Sequence, residues 1–445
     1  MIQHPLRFHV LAAQEAQHQL ADLGRKARVA LLESYAAGLQ AARTTLAETL
    51  AQDAKKTLKD AQAEVDASID IIHKTIKDAT LADIGDMARE KIRPPVGIVG
   101  LITSFNFPMV VAHWNIAPAI LAGNAVLWKP SEKTPLAAFE CKKIFDATAG
   151  KHKDVLQVLR GNRALGASMV AHEEVDMISA TGGVAMGEAI RKTLATKENN
   201  SVPPILELGG NNAVVIGEKV DDTHISFAVN AILTSFLGTT GQRCTNTRRL
   251  IIYVKWFERV VAQLERLVGE FISSGAMNDP ENIYGYRQLI DDDAVKRLEQ
   301  TKAQAIKQGA KILFGGPNEP VLAIMPGQAA IMHTETFAPL LYLVPYSGLI
   351  DSAMKLVNEP ENAGLVNGIY TLSQEEADRF VALNEAGHSL INSPKGTGTP
   401  ANGMGFGGNK ASGSGEILWS GDPLAAFTKP APAKRVAVNK AIPFS

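Results

Sequence analysis

The 445-residue chain contains only two cysteines, Cys141 and Cys244. Two thiols cannot form the disulfide framework of a small secreted protein, so a reducing cytoplasm is the expected location. The first ten residues have neither the basic start nor the long apolar run of a secretory signal. No stretch approaches the roughly 18 uncharged apolar residues that a spanning helix needs. We therefore expect a cytoplasmic protein without a membrane partner.

An excess of one charge, a histidine cluster and internal repeats are missing as well. Lys+Arg total 45 and Asp+Glu total 46, for a formal net charge of −1, so nothing favours a nucleic-acid partner. The 10 histidines are scattered, and no Cys/His group has ligand spacing, so no metal is expected. No G-x-S-x-G motif lies at a strand-to-helix turn, which argues against a serine hydrolase.

What the chain does contain is apolar material for more than one core, since hydrophobic residues make up 46% of it. Residues 11–90 are rich in Ala, Leu, Gln, Lys and Glu, with apolar residues at helical spacing. We predict almost continuous helix here, ended by Pro94 and Pro95.

Short apolar runs then alternate with helical segments. The first strand is predicted at VGIVGLIT, around residues 97–104, because it is apolar throughout and rich in β-branched residues. Further strands are predicted at 125–128, 155–159, 176–181, 248–254, 340–344, 368–372 and 389–392. Helices are predicted over 114–121, from 134, over 165–172, after 181 and over 257–271. This alternation predicts parallel, doubly wound α/β sheets covered by helices on both faces. We place the junction of two α/β domains near residues 208–212.

The first candidate for chemistry is GQRC, residues 241–244. Glycine and small polar residues keep the backbone close to anything bound there, and Arg243, Arg248 and Arg249 supply positive potential that favours a Cys244 thiolate. The competing interpretation is an inert cysteine at the start of a strand, which is the usual state of a lone cysteine.

The second candidate is Glu207, which lies inside the apolar run PPILELGGNNAVVI. A carboxylate in a buried strand is costly unless it is paired or its pKa is raised, and a raised pKa suits a general base. A strand that turns Glu207 toward water is the equally weighted alternative.

Three further motifs follow predicted strands, where ligands of open α/β sheets gather. In SFNFP, Asn106 could donate its amide N–H to a developing oxyanion, or be an ordinary turn residue. In WKPSE, Lys129 and Glu132 could bracket a ribose, with Glu132 repelling an added phosphate and so favouring NAD over NADP, or form a solvated pair. In TGGVAMG, Gly182 and Gly187 permit a pyrophosphate to approach a helix N-terminus.

GMGFGG, residues 403–408, fits G-x-G-x-x-G, but the proline-rich segment after it lacks the helix of a dinucleotide fingerprint. A glycine-rich active-site loop or a crossing between domains is the better interpretation.

The order of these motifs is specific. SFNFP, WKPSE, TGGVAMG, LELGG, GQRC, ETFAP (335–339) and GFGGNKASG (405–413) together resemble the aldehyde dehydrogenase superfamily, from about residue 10 to the end. LELGGNN, GQRCTNTRRLI and HTETFAPLLY are most similar to the antiquitin branch, the α-aminoadipic semialdehyde dehydrogenases.

The resemblance implies a Rossmann-type cofactor domain at 1–208, with a helical part at 1–92 and residues 411–430 packing back on it. It implies a second α/β catalytic domain at 209–410 and an extended C-terminal oligomerisation arm at 431–445. A homodimer is expected. A tetramer is less expected, because the chain starts late, without the N-terminal arm usual in the family, and the segment before the first strand is short.

The implied reaction is the oxidation of an aldehyde, or of a semialdehyde, to a carboxylic acid with NAD, or with NADP. Cys244 would attack the carbonyl, Asn106 and the Cys244 N–H would hold the oxyanion, and Glu207 would activate the water that hydrolyses the thioester. The implied cofactor contacts are Thr103, Ser104, Phe105, Lys129, Glu132, Gly182, Gly183, Gly187, Leu208, Gly209, Glu335 and Phe337. The implied substrate contacts are Arg243, His113, Trp114 and Phe406.

Several alternatives stay open. Arg243 either anchors a substrate carboxylate or only tunes the thiol and pairs locally. Coenzyme A could take the acyl group instead of water, although a dedicated base at Glu207 argues against this. An idle binding or structural protein on the same scaffold is the third possibility, against which the joint presence of Cys244, Glu207 and Asn106 argues. Two departures from many family members are Gly183 in place of Ser and Asn115 in place of Lys.

Overall fold

A computed structural model describes residues 3–82, 94–198, 202–360, 363–398, 405–414 and 424–429. The predicted arm at 431–445 lies outside these residues. Within the described ranges, no helix is both long and apolar enough to cross a membrane.

The N-terminal part consists of four helices separated by short breaks, which confirms the predicted, almost continuous helix up to residue 82, whereas residues 83–90 of that prediction lie outside the described residues. The four helices are α1 (Gln3–Asp22), α2 (Arg25–Ala41), α3 (Arg43–Asp53) and α4 (Leu58–Ala82). Gly24 is extended before α2 (φ −60°, ψ 155°), and Lys55 has φ 51° in the turn before α4. The helices turn back because their apolar faces, including Leu20, Leu32 and Val65, share one core.

The first sheet has the strand order β13-β5-β4-β1-β2-β3. Its pairs are parallel except that β13 runs antiparallel to β5. Its strands are β1 (Ile98–Ile102), β2 (Ala125–Lys129), β3 (Leu156–Val158), β4 (Met177–Thr181), β5 (Ile205–Glu207) and β13 (Gly413–Ser414). The connecting helices are α5 (Val110–Ala122), α6 (Leu136–Ala149), α7 (Arg163–Ala171) and α8 (Val184–Ala195).

Burial on both faces explains why β1 is apolar throughout. Val99 and Leu101 point into one core, while Ile98 and Ile102 point into another on the opposite face. Alternate strand residues face opposite sides, so a central strand covered twice needs apolar residues at every position. The predicted doubly wound α/β arrangement is therefore confirmed for this sheet.

The second sheet has the order β12-β11-β6-β7-β10-β9-β8, with only the pair β8–β9 antiparallel. Its strands are β6 (Ala213–Ile216), β7 (Arg249–Tyr253), β8 (Lys311–Phe314), β9 (Val321–Ile324), β10 (Leu340–Tyr346), β11 (Val366–Tyr370) and β12 (His388–Ile391). Its helices are α9 (Asp222–Leu237), α10 (Phe257–Ser273), α11 (Asp292–Lys307), α12 (Ile350–Asn358) and α13 (Gln374–Leu383).

The sequence predicted β7, β10, β12 and α10 closely and placed β11 two residues late. It did not predict β8, β9, α9, α11, α12 or α13. The pair β8–β9 ends the sheet, and β8 is exposed or half-buried along its length. An edge strand of that kind lacks the continuous apolar run that identified the central strands.

The glycine-rich segment 405–414 crosses from the second sheet to the first, which is one of the two alternatives that the sequence left for residues 403–408. Gly413 and Ser414 pair antiparallel with Glu207 and Leu206 at the edge strand β5. Farther on, the Phe427 carbonyl accepts from the Val96 N–H and the Asn124 side chain. The chain therefore ties both sheets together beside Glu207.

Candidate active site

A cavity of about 1320 Å³ lies between the two sheets. It is lined by the residues at and after the carboxyl ends of β1, β4 and β5, where a doubly wound sheet binds its ligands. Helix α4 and the loop that carries Cys244 form its other walls. The volume exceeds that of a pocket for one small ligand, so a dinucleotide and a substrate can share it.

Left-handed backbone brings Cys244 to this cavity. Between α9 and Cys244, Thr239, Thr240 and Gly241 have φ of 51°, 55° and 68°. A Cβ on Gly241 would collide with the backbone at Ala338, so glycine is needed for this close approach. The turn places Cys244 before β7, half-buried at the wall of the cavity.

Two asparagines that the sequence reasoning missed hold the turn in place. Asn246 accepts from the Arg243 N–H (2.5 Å) and donates to the Gly238 carbonyl (3.2 Å). Asn212 donates to the carbonyls of Cys244 (2.7 Å) and Asn246 (2.8 Å). Their position inside LELGGNN and GQRCTNT was the only signal, because side-chain amides next to glycines often satisfy irregular backbone.

The electrostatic setting of Cys244 differs from the sequence expectation. Burial, with the carboxylates of Glu335 and Glu207, raises the pKa of the thiol to about 12, and Arg248 only partly opposes this. Arg249 donates to the backbone carbonyls of Asn211, Leu356 and Val357. The prediction of a thiolate stabilised by three arginines is therefore wrong for the resting site, because desolvation outweighs the cations.

Glu207 closes β5 and is only 7% exposed. Its Oε2 has no hydrogen-bond partner among the described residues. Burial raises the pKa of this carboxyl to about 8. Of the two alternatives from the sequence, a wet strand face is excluded, and the environment is one that tunes a carboxyl group toward a general base.

Asn106 lies in the loop between β1 and α5 and is 5% exposed. Ser104 donates to its Oδ1 at 2.7 Å. The same loop is held by Trp128, which donates to Thr103 (2.9 Å), and by Thr134, which donates to the Phe105 carbonyl (3.2 Å). The Asn106 side chain therefore lines the cavity from a braced backbone.

A buried ion pair braces the far end of this loop. Lys56 donates to Glu64, and each side chain is 1% exposed. The other Glu64 oxygen accepts from the N–H groups of Met109 (2.8 Å) and Val110 (3.1 Å), where α5 begins. The carboxylate thus occupies the helix N-terminus, a favourable place for negative charge. No sequence pattern revealed the pair, since Glu64 and its backbone partners are 45 and 46 residues apart.

Replacing Glu64 with glutamine should destabilise the fold by about 3–5 kcal/mol, because it leaves the Lys56 ammonium buried without its counter-charge. Urea unfolding measures this loss. The matched control is Lys74→Gln, which breaks the partly exposed Lys74–Asp78 pair on the same helix and should cost about 0.5 kcal/mol or less. Equal effects of the two variants would show that the buried pair has no special weight.

The predicted cofactor residues after β2 lie together. Lys129 is buried and donates to Glu132 (3.0 Å) and to the Pro130 carbonyl (3.2 Å). The Glu132 side chain is 53% exposed and lines the cavity. A ribose diol could therefore reach the carboxylate without a rearrangement of the lysine.

The glycines of TGGVAMG divide into two roles. Gly182 and Gly183 line the cavity just before α8, and nothing lies within 4 Å of where a Cβ on Gly183 would be. Gly187 instead faces Leu208, which a Cβ there would strike. The prediction that Gly187 admits a pyrophosphate is thus wrong in its geometry, because the residue lets α8 pack close to the chain beyond β5.

The remaining cofactor candidates meet on the opposite wall. Glu335 and Phe337 line the cavity with Leu208 and Gly209, and Phe337 contacts Phe105 edge to face at 5.7 Å. Burial raises the pKa of Glu335 to about 7, opposed by Arg248 and the Gly210 N–H. Its Oε1 has no hydrogen-bond partner among the described residues and is 3.8 Å from Arg248. A carboxylate oxygen without a partner, at the wall of an open cavity, is suited to accept a hydrogen bond from a hydroxyl group of a ligand.

Two of the predicted substrate residues, Trp114 and Phe406, line the cavity together. Trp114 packs on Phe406 at 5.4 Å, and Phe406 stacks on His388 at 5.5 Å. His113 was predicted as a substrate contact, and the structure contradicts this. It is fully buried, hydrogen bonded to Tyr35 (3.0 Å) and the Met109 carbonyl (2.8 Å), and burial lowers its pKa to about 4. Successive helix residues point about 100° apart, so only its neighbour Trp114 reaches the cavity.

Arg243 lines the cavity, but its guanidinium already has neighbours. It donates to Thr239 (2.8 Å), is 3.8 Å from Asp60 and lies 5.6 Å from the centre of the Phe107 ring. Asp60 thus compensates the charge of Arg243 locally.

The second cysteine, Cys141, is fully buried, and burial raises the pKa of its thiol to about 12, as expected of a structural cysteine.

Known proteins resemble this chain over most of its length. A model of the aldehyde dehydrogenase family matches residues 6–430. The alpha-aminoadipic semialdehyde dehydrogenase of Bos taurus is 32% identical over 333 residues, covering 72% of this chain and 60% of the relative. The N-succinylglutamate 5-semialdehyde dehydrogenase of Chromobacterium violaceum is 29% identical over 421 residues, covering 90% and 84%.

A solved structure shows the same fold. The glyceraldehyde-3-phosphate dehydrogenase GapN of Methanocaldococcus jannaschii, complexed with NADP, has a TM-score of 0.83 at 26% identity, covering 96% of this chain and 92% of that chain. The match to the first curated relatives spans only 60% to 65% of their length.

Proposed function

The chain belongs to the aldehyde dehydrogenase family, and from that premise we propose that it oxidises an aldehyde to a carboxylic acid with NAD or NADP. The observation that carries the proposal is the cavity between the sheets, which Cys244, Glu207 and Asn106 line together. A nucleophile, a base and an oxyanion donor are the three groups that a thioester route needs.

In the proposed reaction, the Cys244 sulfur bonds to the carbonyl carbon and the thiol proton is released to solvent. The carbonyl oxygen becomes an oxyanion, which the Asn106 amide and the Cys244 N–H stabilise. NAD(P), held by Lys129, Glu132 and Glu335, would supply the hydride acceptor for the oxidation of the thiohemiacetal to the thioester. Glu207, once ionised, takes a proton from water, and the resulting hydroxide displaces the Cys244 sulfur to release the acid.

We assign the cofactor to the wall formed largely by the first sheet, within residues 1–208. Lys129 and Glu132 would hold the adenosine ribose, and Gly182 and Gly183 would approach the pyrophosphate. Glu335 would hold the second ribose. The orphaned Glu335 oxygen and the open space at Gly183 support this assignment. The catalytic domain at 209–410 would then supply Cys244.

Replacing Glu132 with glutamine should shift the cofactor preference toward NADP by about three- to tenfold. A carboxylate beside the ribose repels a 2′-phosphate, and one like-charge contact near the surface is worth roughly 1 kcal/mol. The ratio of kcat/KM with NAD to that with NADP measures the shift. Glu140→Gln, on α6 and paired with Lys143, is the control that should leave the ratio unchanged. An unaltered ratio in Glu132→Gln would remove this residue from cofactor selection.

The substrate remains an aldehyde or semialdehyde in this proposal. Relatives named as semialdehyde dehydrogenases support a charged end, and the Asp60–Arg243 contact favours local pairing of the arginine instead. To separate the two roles of Arg243, the oxidation rates of semialdehydes and of uncharged aldehydes are measured with wild type and with Arg243→Ala. Formation of reduced nicotinamide reports each rate. Loss confined to semialdehydes identifies the anchor.

Hydrolysis is favoured over acyl transfer to coenzyme A because Glu207 is a buried carboxyl with a raised pKa. Adding coenzyme A to the assay should therefore leave the rate and the acid product unchanged. A homodimer is also proposed on the motif resemblance, and a cytoplasmic location on the low cysteine content. Light scattering tests the dimer.

A further inference from the structure

One hydrogen bond beside the proposed oxyanion site has no counterpart in the reaction described above. The Ser104 hydroxyl donates to Asn106 Oδ1 at 2.7 Å. Both residues line the cavity, Ser104 half-buried and Asn106 buried. This distance is the usual one for an O–H···O bond, so the contact is a full hydrogen bond.

The bond matters because the two ends of an asparagine amide have nearly the same shape and opposite polarity. The N–H₂ end donates, whereas the oxygen end only accepts. With the oxygen end toward the substrate, Asn106 would repel a developing oxyanion. With the Ser104 proton on the amide oxygen, the N–H₂ end is the one left for the cavity.

Ser104 also has a single proton to give. Because that proton goes to Asn106, the hydroxyl is not available as a donor to a phosphate or to a carbonyl of a bound cofactor. In the cofactor contact that the resemblance implies for Ser104, the hydroxyl oxygen would therefore act only as an acceptor. The residue faces the cavity, but its donor serves a neighbouring side chain.

We propose that Ser104 is a positioning residue for the oxidation, one that orients the Asn106 amide so that its N–H₂ group faces the reacting oxygen. The inference rests on the proposed function, in which Asn106 stabilises the oxyanion. In this proposal Ser104 acts through Asn106 rather than on the substrate itself. Its contribution is that the catalytic amide is already oriented when the carbonyl arrives, so no reorientation cost falls on the transition state.

Removing the hydroxyl should leave the loop folded, because other contacts hold its backbone. Trp128 bonds to Thr103, Thr134 bonds to the Phe105 carbonyl, and Glu64 receives the N–H groups at the start of α5. Ser104→Ala therefore changes the amide orientation without removing the loop from the cavity.

The chain provides a matched control. Ser179 on β4 donates to the Asn115 Oδ1, also at 2.7 Å, and is 2% exposed. Ser179→Ala deletes a bond of the same kind and length between the same residue types, away from Asn106. It should lower the urea midpoint at least as far as Ser104→Ala does, because its bond is more deeply buried, while leaving kcat unchanged.

The experiment compares wild type, Ser104→Ala, Ser104→Thr and Ser179→Ala with one aldehyde. Ser104→Ala should lower kcat/KM for the aldehyde and kcat about three- to tenfold, the worth of one hydrogen bond. The dissociation constant of the cofactor, measured by fluorescence titration, should not change. Ser104→Thr keeps a hydroxyl and should restore most of the rate.

A double variant connects the effect to Asn106. In an Asn106→Ala background, adding Ser104→Ala should cause no further loss, because there is no amide left to orient. An equal loss in both backgrounds would overturn the proposal, as would a weaker cofactor affinity with kcat intact. If Asn106→Ala alone left turnover unchanged, the oxyanion role in the proposed function would fail instead, which is a separate result.

Discussion

Cys244→Ala is expected to lower the rate of aldehyde oxidation by about ten-thousandfold or more, with cofactor binding intact. Without the sulfur there is no thiohemiacetal, and removal of a nucleophile from a site that acts as a unit costs nearly the whole covalent route. The bond from Asn212 to the Cys244 carbonyl does not involve the sulfur, so the turn should keep its shape. Steady-state formation of reduced nicotinamide measures the loss, and cofactor titration checks binding.

Cys141 provides the control. It is fully buried between helices of the first core, so Cys141→Ala should cost stability and leave the turnover of folded protein near the wild-type value. A thiol reagent should accordingly inactivate wild type and Cys141→Ala alike by modifying Cys244. Turnover that survives in Cys244→Ala would contradict the assignment of the nucleophile.

Glu207→Gln is expected to give a burst of reduced nicotinamide equal to about one turnover, then a steady rate lower by about a hundred- to ten-thousandfold. The base acts after hydride loss, so its removal leaves thioester formation and slows hydrolysis. Stopped-flow absorbance shows the burst, and mass spectrometry of quenched protein identifies the acyl group on Cys244. The matched control is Glu335→Gln in the same cavity, which should weaken cofactor binding without accumulating thioester.

The pH dependence of kcat follows from the raised pKa of Glu207, about 8. A general base works in its ionised form, so kcat should rise as pH increases through this value and then level off. In Glu207→Gln that rise should disappear. A wild-type profile that falls over the same range would contradict the role of the carboxylate.

The titration of Glu207 should affect the stability of the protein as well as its activity. Because the pKa of Glu207 is higher in the folded protein than in the unfolded chain, its favourable contribution is complete at acid pH and is lost as pH rises toward about 8. Glu207→Gln should therefore exceed wild type in stability above that pH, by on the order of a few kcal/mol, with little difference at acid pH. Urea unfolding at the two extremes measures it.

Local pattern was enough for the central strands and for the residues that meet in the cavity. β1 was found because a strand covered on both faces is apolar at every position, and α10 because its apolar residues recur at helical spacing. Asn106 follows β1, and Lys129 and Glu207 end β2 and β5, so these candidates meet because a parallel sheet brings the carboxyl ends of its strands to one edge.

Contacts that depend on tertiary packing could not be predicted from local sequence patterns. The orientation of His113 depends on which face of α5 the first core covers. Gly187 depends on how closely Leu208 approaches α8. The Lys56–Glu64 pair depends on α4 packing beside the start of α5. In each case the neighbouring residues that determine the contact are distant in the sequence or are brought close by tertiary packing.

The sequence by itself determined the type of fold, because strand periodicity is a local property, and the order of its motifs indicated Cys244, Glu207 and Asn106 as the candidate nucleophile, base and oxyanion donor. Only the tertiary structure decided their electrostatic state. Whether Cys244 rests as a thiol or a thiolate depends on how completely water is removed and on which carboxylates face it, and burial with Glu335 and Glu207 prevails there over Arg248. Desolvation is a property of the assembled cavity, to which both sheets and α4 contribute.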